Sequence, residues 1–262
     1  ALPGGAFRYR DAVLHAGCGE DAGAGVSLEA LAERFGTPLY VYDAGAIAAR
    51  VRRYQEAFGG PDGVEFLLAY SVKANGNLAV LNRIGALGAG ADIVSGGELA
   101  RALEAGIPGE RIVFAGVGKT PEEMRQALKA GIHAFHVESA GELEALARVA
   151  GEMGVRAPVG LRVNPDIQTN TPHEYTRTGH AATKFGIAVS EALALYRAHA
   201  GNPALAFRGI DVHIGSQIVE VEPYRRALET VLAMVDALAS EGIALEYVDL
   251  GGGFGVGYEG EP

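Results

Sequence analysis

Short apolar runs alternate with longer stretches of helical periodicity along most of the chain. The apolar runs predict seven strands, at residues 66–72, 91–94, 112–115, 134–137, 159–163, 209–214 and 245–250. The periodic stretches predict helices at residues 79–87, 97–105, 121–130, 140–150, 190–199 and 223–240. Start signals such as Thr120-Pro121-Glu122-Glu123 and Ser139-Ala140-Gly141-Glu142 support two of these helices. Strict alternation of strand and helix indicates parallel strands joined by helical crossovers.

The spacing of the strands favours one α/β architecture. The first strands follow one another about every 20 residues, which is the rhythm of a (β/α)8 barrel of the TIM type. We therefore predict such a barrel, although alternation alone leaves an open doubly wound sheet as the alternative. An eighth strand starting at Glu261 is excluded, because neighbouring parallel strands need a crossover of about a dozen residues or more. Only residues 256–260 separate Gly255 from Glu261, so we expect seven recognisable strands of the eight-stranded barrel, with the given residues ending before the eighth.

The segment before the first barrel strand has a different pattern. Residues 7–10 and 39–42 alternate between apolar and polar positions, which is typical of half-exposed strands. Between them, residues 27–35 are predicted to form a short helix that Ser27 caps and Gly36 ends. We therefore divide the chain into an N-terminal segment, residues 1–42, which packs against something outside the barrel, and the incomplete barrel, residues 43–262.

Composition and charge narrow the classes of function. A chain of 262 residues, 48% apolar and 21% charged, is long enough to bury a proper core. The net charge of −10 argues against nucleic acid as the main partner, and no apolar run approaches the roughly 20 residues that span a membrane. The first residues lack the pattern of a signal peptide, and the single Cys18 allows neither an intrachain disulfide nor a cysteine-based metal cluster. We expect a cytoplasmic protein.

A lysine stands at the end of the first predicted barrel strand. It is Lys73, in the run Tyr70-Ser71-Val72-Lys73-Ala74-Asn75, and it is one of only four lysines among the 22 basic residues. Burying a lysine cation is costly, so the side chain either reaches water, pairs with an acid or does amine chemistry. Taken alone, the first two roles are the more common ones.

Other polar residues are predicted at the same edge of the barrel, where active sites of this fold are built. The residues at the carboxyl ends of the predicted strands are Lys73, Asp92, Ser95, Lys119, Glu138, Arg162, Asn164, His213 and Ser216, followed by the glycines of 251–255. We therefore expect one end of the barrel to hold an amine, an imidazole, a guanidinium and a glycine-rich loop.

The run Gly251-Gly252-Gly253-Phe254-Gly255 directly follows the seventh strand, which is a usual phosphate site of this fold. Successive glycines let backbone amides approach an anion, although a plain turn explains such a run equally often. The run lacks the G-x-G-x-x-G spacing of dinucleotide sites and the Lys-Ser/Thr ending of a P-loop. It is therefore a candidate phosphate loop and no more than that on its own.

Two further strand-end residues have both a structural and a chemical interpretation. His213 is by position more often a core residue than a catalytic one, but Gly215 and Ser216 beside it offer an amide and a hydroxyl to a phosphate oxygen. Arg162 could donate to an anionic or phenolic oxygen, and its structural alternative is a buried salt bridge with Asp92. No spacing typical of a metal site is found for His133, His136, His173 and His180.

Four motifs occur together in a fixed order. They are Tyr70-Ser71-Val72-Lys73-Ala74-Asn75, Asp92-Ile93-Val94-Ser95-Gly96-Gly97-Glu98-Leu99, His213-Ile214-Gly215-Ser216-Gln217 and Gly251-Gly252-Gly253-Phe254-Gly255. This set resembles the alanine-racemase-like, fold type III pyridoxal-phosphate enzymes. The long insertion at 164–186 is similar to that of the diaminopimelate decarboxylases within them, and ornithine-type relatives lack it in this form. The resemblance runs over residues 7–258.

The resemblance implies pyridoxal 5'-phosphate as the cofactor. The positions that match the family's cofactor contacts are Lys73, Asp92, Arg162, His213, Ser216, Gly252 and Gly253. Lys73 is expected to bind the cofactor covalently and His213 to stack on its ring, so these two are the predicted catalytic residues. Ser216 and the amides of 251–253 are expected to hold the phosphate. Glu98 matches a family glutamate to which we assign no role.

The implied reaction is the decarboxylation of meso-diaminopimelate to L-lysine and carbon dioxide, the last step of lysine biosynthesis, with the cofactor as electron sink. The family works as a homodimer with a shared active site. Its Glu-Pro-Gly-Arg motif, which Glu261-Pro262 only imitates, and its carboxyl-terminal β-domain are missing here, and residues 7–42 would pack with that domain. We therefore expect residues 1–262 alone to bind cofactor poorly and to turn over little or nothing.

Three alternatives remain open at this point. One is a decarboxylase of another amino acid or polyamine precursor, such as carboxynorspermidine, arginine or ornithine. Another is a racemase of the same barrel type. A third, from a different class, is a non-catalytic truncated homologue that acts by binding a partner.

Overall fold

Two β-sheets organise the chain. The computed structural model describes residues 6–17, 25–59, 63–167 and 185–257. The small sheet is antiparallel, with β1 (Phe7–Arg10), β2 (Val13–Ala16) and β3 (Val26–Ser27) in that order. Helices α1 (Leu28–Phe35) and α2 (Ala44–Phe58) follow it. The predictions on Cys18, His173, His180, most of the insertion and residues 261–262 concern positions outside the described residues.

The large sheet holds seven barrel strands in chain order, separated by helices. Its strands are β4 (Ala69–Ser71), β5 (Gly90–Ile93), β6 (Ile112–Phe114), β7 (Ala134–Val137), β8 (Ala157–Asn164), β10 (Leu205–Val212) and β11 (Tyr247–Asp249), with a two-residue strand β9 (Ile187–Ala188) beside the end of β8. The helices are α3 (Leu78–Ala86), α4 (Gly96–Glu104), α5 (Pro121–Ala130), α6 (Ala140–Met153), α7 (Val189–His199) and α8 (Glu222–Ser240).

The order of the strands decides between the two predicted architectures. Every neighbouring pair on the path from β4 to β11 is parallel, and each strand lies beside the next barrel strand in sequence. A doubly wound sheet reverses its direction at a switch point, and this sheet does not. The prediction of seven strands of a (β/α)8-type barrel is therefore confirmed, with β4 and β11 at the two edges of the part that the structure describes.

The helix and strand predictions for the barrel are confirmed to within a few residues. β7 and α5 have the predicted bounds. The helix α5 begins with a full capping box, in which Thr120 and Glu123 each accept the other's backbone N–H, and ends at Gly131 in the left-handed conformation. Such local signals are why its bounds were predictable.

The prediction of a strand at 39–42 was wrong, since these residues form no strand. The partner of β1 is β2, which the sequence analysis missed, and the turn between them consists of Asp11 and Ala12, both at positive φ (47° and 65°). Two-residue hairpin turns of this kind usually contain Asn-Gly or Asp-Gly, so Asp-Ala gives little signal. Helix α1 has the predicted cap at Ser27 and end at Gly36, whereas α2, capped by Asp43, was also missed.

The main core lies between the large sheet and its helices. Fully buried apolar side chains come from both layers, including Leu81, Leu146 and Val231 on helices and Phe114 and Leu161 on strands. Burying one such side chain stabilises the fold by about 1.5–3 kcal/mol, so this layer fixes the strands relative to one another. Among the described residues, no helix combines the length and the apolar character needed to cross a bilayer.

Two strand glycines make room for a tyrosine that crosses the sheet interior. Gly160, Gly209 and Tyr247 stand in register on β8, β10 and β11. A Cβ at Gly209 would lie 2.3 Å from the Tyr247 ring, and one at Gly160 would lie 2.8 Å from its hydroxyl oxygen. The Tyr247 hydroxyl instead reaches His136 Nε2 on β7, at 3.1 Å. The sheet therefore carries polar side chains on its inner face, among them His136 and Tyr247.

Candidate functional site

The predicted site residues collect at the carboxyl ends of the strands. Lys73 lies in a short 3-10 turn, Val72–Ala74, directly after β4, and Asp92 is on β5. Arg162 is near the end of β8, His213 follows β10, and the glycine-rich run follows β11. The parallel sheet thus brings residues that are up to 180 positions apart in the sequence to one edge.

The side chain of Lys73 is exposed at this edge and lies close to Asp92 and His213. The Ser71 hydroxyl donates a hydrogen bond to Asp92 Oδ2 at 2.7 Å. Burial raises the pKa of Asp92, while this hydrogen bond and the charge of Lys73 partly oppose the rise. The edge therefore offers an accessible amine beside a carboxyl group that the fold holds in place.

His213 is held as a neutral ring. Burial lowers its pKa to about 4, and the positive charges of Arg162 and Lys73 add to the effect. Its Nδ1 accepts a hydrogen bond from the Gly252 amide at 3.3 Å, which assigns the ring hydrogen to Nε2. At neutral pH the imidazole thus presents a flat, uncharged face next to two cations.

The lowered pKa of His213 predicts a pH dependence of stability. The unfolded chain protonates His213 below its ordinary pKa of 6.5, whereas the folded protein keeps it neutral down to about pH 4. The free energy of unfolding should therefore fall as the pH falls through this window, by at most about 3 kcal/mol from this residue. His213→Gln removes that contribution, so its stability curve, measured by urea unfolding, should be flatter between pH 6.5 and 4. Above pH 7 the two curves should run parallel, and equal slopes below it would contradict the assignment.

Arg162 pairs with a different acid from the one considered in the sequence analysis. Its Nη1 donates to Glu138 Oε1 at 3.0 Å, and its Nε lies 3.8 Å from Asp211 Oδ2. The alternative of a salt bridge with Asp92 was wrong, because the register of β7, β8 and β10 places Glu138 and Asp211 on the two flanks of Arg162. The Phe185 ring lies against the guanidinium, 5.2 Å from its Cζ.

Glu138 connects three strand-end loops. Besides Arg162, its carboxylate accepts the amide of Gly116 at 2.9 Å and the amide of Gly186 at 3.2 Å. Its side chain is 1% exposed and that of Arg162 is 10% exposed. This buried pair therefore orders the loops that surround Arg162, which holds the guanidinium in one direction.

A second buried polar group lies next to this pair and was not foreseen. His136 Nδ1 is 3.6 Å from Asp211 Oδ2 and 3.9 Å from Asp249 Oδ2. Burial lowers the pKa of His136 and raises the pKa of Asp211 well above its usual range, since each would otherwise be charged away from water. The period of two along a strand would have indicated Asp211, because Gly209, Asp211 and His213 lie on one face of β10 and its continuation.

The glycine-rich loop packs closely on the loop that follows His213. Gly251 and Gly253 have positive φ angles of 67° and 84°. A Cβ at Gly253 would lie 1.9 Å from the Gly215 carbonyl oxygen, and one at Gly251 would lie 2.6 Å from that of Val212. Only glycine permits this approach. The loop is joined to its neighbour by hydrogen bonds between Ile218 and the backbone of Gly253 and Gly255.

The hydrogen-bond donors of this loop are unequally engaged. The Gly251 amide donates to Asp249 Oδ1 at 2.7 Å, and the Gly252 amide donates to His213. In the described part of the chain, the Gly253 amide and the Ser216 hydroxyl have no hydrogen-bond acceptor. The same holds for the Phe254 amide, so an anion at the loop finds two backbone amides and one hydroxyl without an acceptor in the described residues.

Two other strand-end residues, Ser95 and Lys119, and the helix residue Glu98 have structural partners. Ser95 caps α4, and Glu98 accepts the Val94 amide at 2.7 Å. Lys119 is buried and donates to the carbonyl oxygens of Gly116 and His136 and to Glu142, each at 2.7 Å. A lysine with all three of its donors engaged is a poor nucleophile, so Lys73 is the lysine of this edge that suits amine chemistry.

Comparison with known proteins places these features in a family. The model of the family "Pyridoxal-dependent decarboxylase, pyridoxal binding domain" matches residues 44–262. The chain is 51% identical to the curated diaminopimelate decarboxylase of Pseudomonas aeruginosa over 97% of its length, and 49% identical to that of Neisseria meningitidis serogroup B over 88%. It spans 59% and 55% of the lengths of these two relatives.

Solved structures agree with the sequence comparison. Diaminopimelate decarboxylase from Helicobacter pylori, complexed with L-lysine, superposes with a TM-score of 0.85 at 40% identity, covering 90% of this chain and 59% of that one. The enzyme from M. jannaschii, also with L-lysine, gives 0.89 at 36% identity, covering 100% and 60%. A lysine/ornithine decarboxylase from Vibrio vulnificus gives 0.74 at 25% identity, covering 88% and 57%. The resemblance drawn from the four motifs is confirmed.

Proposed function

The chain belongs to the pyridoxal-dependent decarboxylases, and from this membership we propose that the whole protein decarboxylates meso-diaminopimelate to L-lysine and carbon dioxide. The observation that carries the proposal is the identity of about half of all residues with curated diaminopimelate decarboxylases over nearly the full chain. Identity to the lysine/ornithine decarboxylase is only 25%, which favours the diaminopimelate enzymes over that alternative.

The residues at the strand ends fit pyridoxal phosphate. The exposed amine of Lys73 suits the aldehyde of the cofactor. The neutral, flat ring of His213 suits its aromatic ring, and the glycine-rich loop with its unengaged amides suits its phosphate. Gly253 packs so closely on Gly215 that a Cβ at this position would clash with the Gly215 carbonyl oxygen, which keeps the loop against the segment that carries Ser216. When bound, the cofactor supplies an electron sink for the electron pair left behind by the departing carboxylate.

The chain's own residues then have distinct proposed roles. Lys73 would hold the cofactor covalently through its side-chain amine. His213 offers a stacking face without adding positive charge, because its low pKa keeps it neutral. Asp92 is a counter-charge for Lys73. Arg162, which Glu138 holds in place, donates to an oxygen of the cofactor or substrate.

The proposal extends to the assembly. We propose a cytoplasmic homodimer that shares its active sites and takes a small amino-acid substrate, with residues 43–262 as the barrel. Residues 1–42 are proposed to pack with a second domain. The exposed side chains of Leu39, Tyr40 and Tyr42, at 39%, 85% and 51%, support such packing, since large apolar groups in sequence are seldom left in water without a partner.

The test is the release of carbon dioxide from meso-diaminopimelate in the presence of pyridoxal phosphate. Residues 1–262 should be compared with the same chain together with whatever the complete gene encodes beyond them. We expect turnover by the complete product and little or none by residues 1–262. Release from carboxynorspermidine or arginine but not from meso-diaminopimelate would replace the proposed substrate, and release from none of them would leave the binding-protein alternative.

A further inference from the structure

A tyrosine on the outer helix layer touches the glycine-rich loop. Tyr224 lies in the first turn of α8, and its hydroxyl donates to the Gly252 carbonyl oxygen at 3.0 Å. Its ring stacks on Phe254, with centroids 5.0 Å apart and planes at 26°. Burial raises the pKa of Tyr224 to about 12, so the hydroxyl keeps its proton and can donate over the whole working range of pH.

This hydrogen bond fixes the direction of one backbone amide. In a trans peptide the carbonyl and the following N–H point in opposite directions. Within the described residues only the bond between Thr37 and Pro38 is cis, so the peptide between Gly252 and Gly253 is trans. With the Gly252 carbonyl directed at Tyr224 on α8, the Gly253 N–H is directed away from that side chain.

The same amide is one of two in the loop, with that of Phe254, that have no acceptor among the described residues. The amides of Gly251 and Gly252 donate to Asp249 and His213, whereas the Gly253 amide has no acceptor in the described part of the chain. Ser216 is adjacent, since a Cβ at Gly253 would lie 3.2 Å from its Cα. The amide that Tyr224 orients and the neighbouring Ser216 hydroxyl are thus among the donors available to an anion.

We propose that Tyr224 is a positioning residue for phosphate binding, which turns the Gly252–Gly253 peptide so that the Gly253 amide donates to the cofactor phosphate together with Ser216. This rests on the proposed binding of pyridoxal phosphate. Tyr224, a residue of the outer helix layer, would thus orient a donor of the anion site without contacting the anion itself. The effect is specific to the phosphate, because the ring end of the cofactor is held by other residues.

The variant Tyr224→Phe tests the proposal, because it removes the hydroxyl and keeps the ring that stacks on Phe254. Binding of pyridoxal phosphate and of pyridoxal, which lacks the phosphate, is titrated by absorbance with the complete gene product. The dissociation constant for pyridoxal phosphate should rise about three- to tenfold, which is the loss of one hydrogen bond of about 1 kcal/mol, while that for pyridoxal stays unchanged. Inorganic phosphate should also compete less well in the variant.

Tyr54→Phe is the matched control. Tyr54 belongs to the same aromatic group, 6.0 Å from Phe254, and its hydroxyl makes no hydrogen bond to a described residue. Its variant should bind both compounds as the original protein does. Unchanged affinities in Tyr224→Phe, or an equal loss for both compounds, would overturn the positioning role. An original protein that binds pyridoxal but gains nothing from the phosphate would overturn it as well, and one that binds neither compound would overturn the proposed function itself.

Discussion

Lys73→Ala is expected to abolish the covalent attachment of pyridoxal phosphate to the protein. The Lys73 amine is the exposed one at the strand ends, next to Asp92 and His213, whereas Lys119 is buried with three acceptors. Without this amine the cofactor has no covalent tether at this end of the barrel, and decarboxylation by the complete product should fall roughly a thousandfold or more. The measurement is borohydride reduction followed by peptide mass spectrometry, in which the label should be found on the peptide that contains Lys73.

The control for this prediction is Lys129→Ala, which removes an exposed lysine from the last turn of α5. It should leave both the label and the turnover unchanged. Label on the peptide of Lys119, or on that of Lys184 outside the described residues, would sink the assignment of the cofactor lysine. A label that survives Lys73→Ala on any other residue would do the same.

The barrel was predictable because its local signals agree with its tertiary packing. Strand runs, helix periodicity and caps such as Thr120 and Ser139 each indicate the same strand-helix alternation, and the core only had to order the strands. The N-terminal hairpin was missed because Ala12 occupies a positive-φ position of the turn where glycine is usual and alanine is rare. The apolar alternation at 39–42, without a strand partner in the described chain, formed no strand at all.

The sequence predicted which site residues lie at the ends of the strands, but it did not predict which residues of neighbouring strands contact one another. Lys73, His213 and the glycine run could be placed at strand ends from the sequence, since a barrel gathers such residues at one edge. The partner of Arg162 depends on the register between β7, β8 and β10, which no single stretch of sequence encodes. The contact of Tyr224 with the loop could not be predicted for a similar reason, because this residue contacts the loop from α8, a helix of the outer layer.

Glu138→Ala is expected to lower the free energy of unfolding by about 3–5 kcal/mol, the largest stability effect expected of a single substitution in the site. Removing one partner of a buried ion pair leaves the other charge without compensation. Here Arg162 would lose its hydrogen-bonded acid and keep only the longer contact of its Nε with Asp211, at 3.8 Å, and the amides of Gly116 and Gly186 would lose their acceptor. Urea unfolding at neutral pH measures the effect.

Glu241→Ala is the matched control, because Glu241 forms a shorter ion pair with Arg197, at 2.6 Å compared with 3.0 Å, but on the surface, where the two side chains are 39% and 47% exposed. Exposed ion pairs contribute little to stability because solvent and salt screen them, so this variant should unfold nearly as the original does. The double variant Glu138→Ala with Arg162→Met should recover part of the loss, since it removes the orphaned charge. Equal losses at Glu138 and Glu241, or no recovery in the double variant, would show that the buried charge of Arg162 does not depend on Glu138, and the ordering role given to this pair would fail.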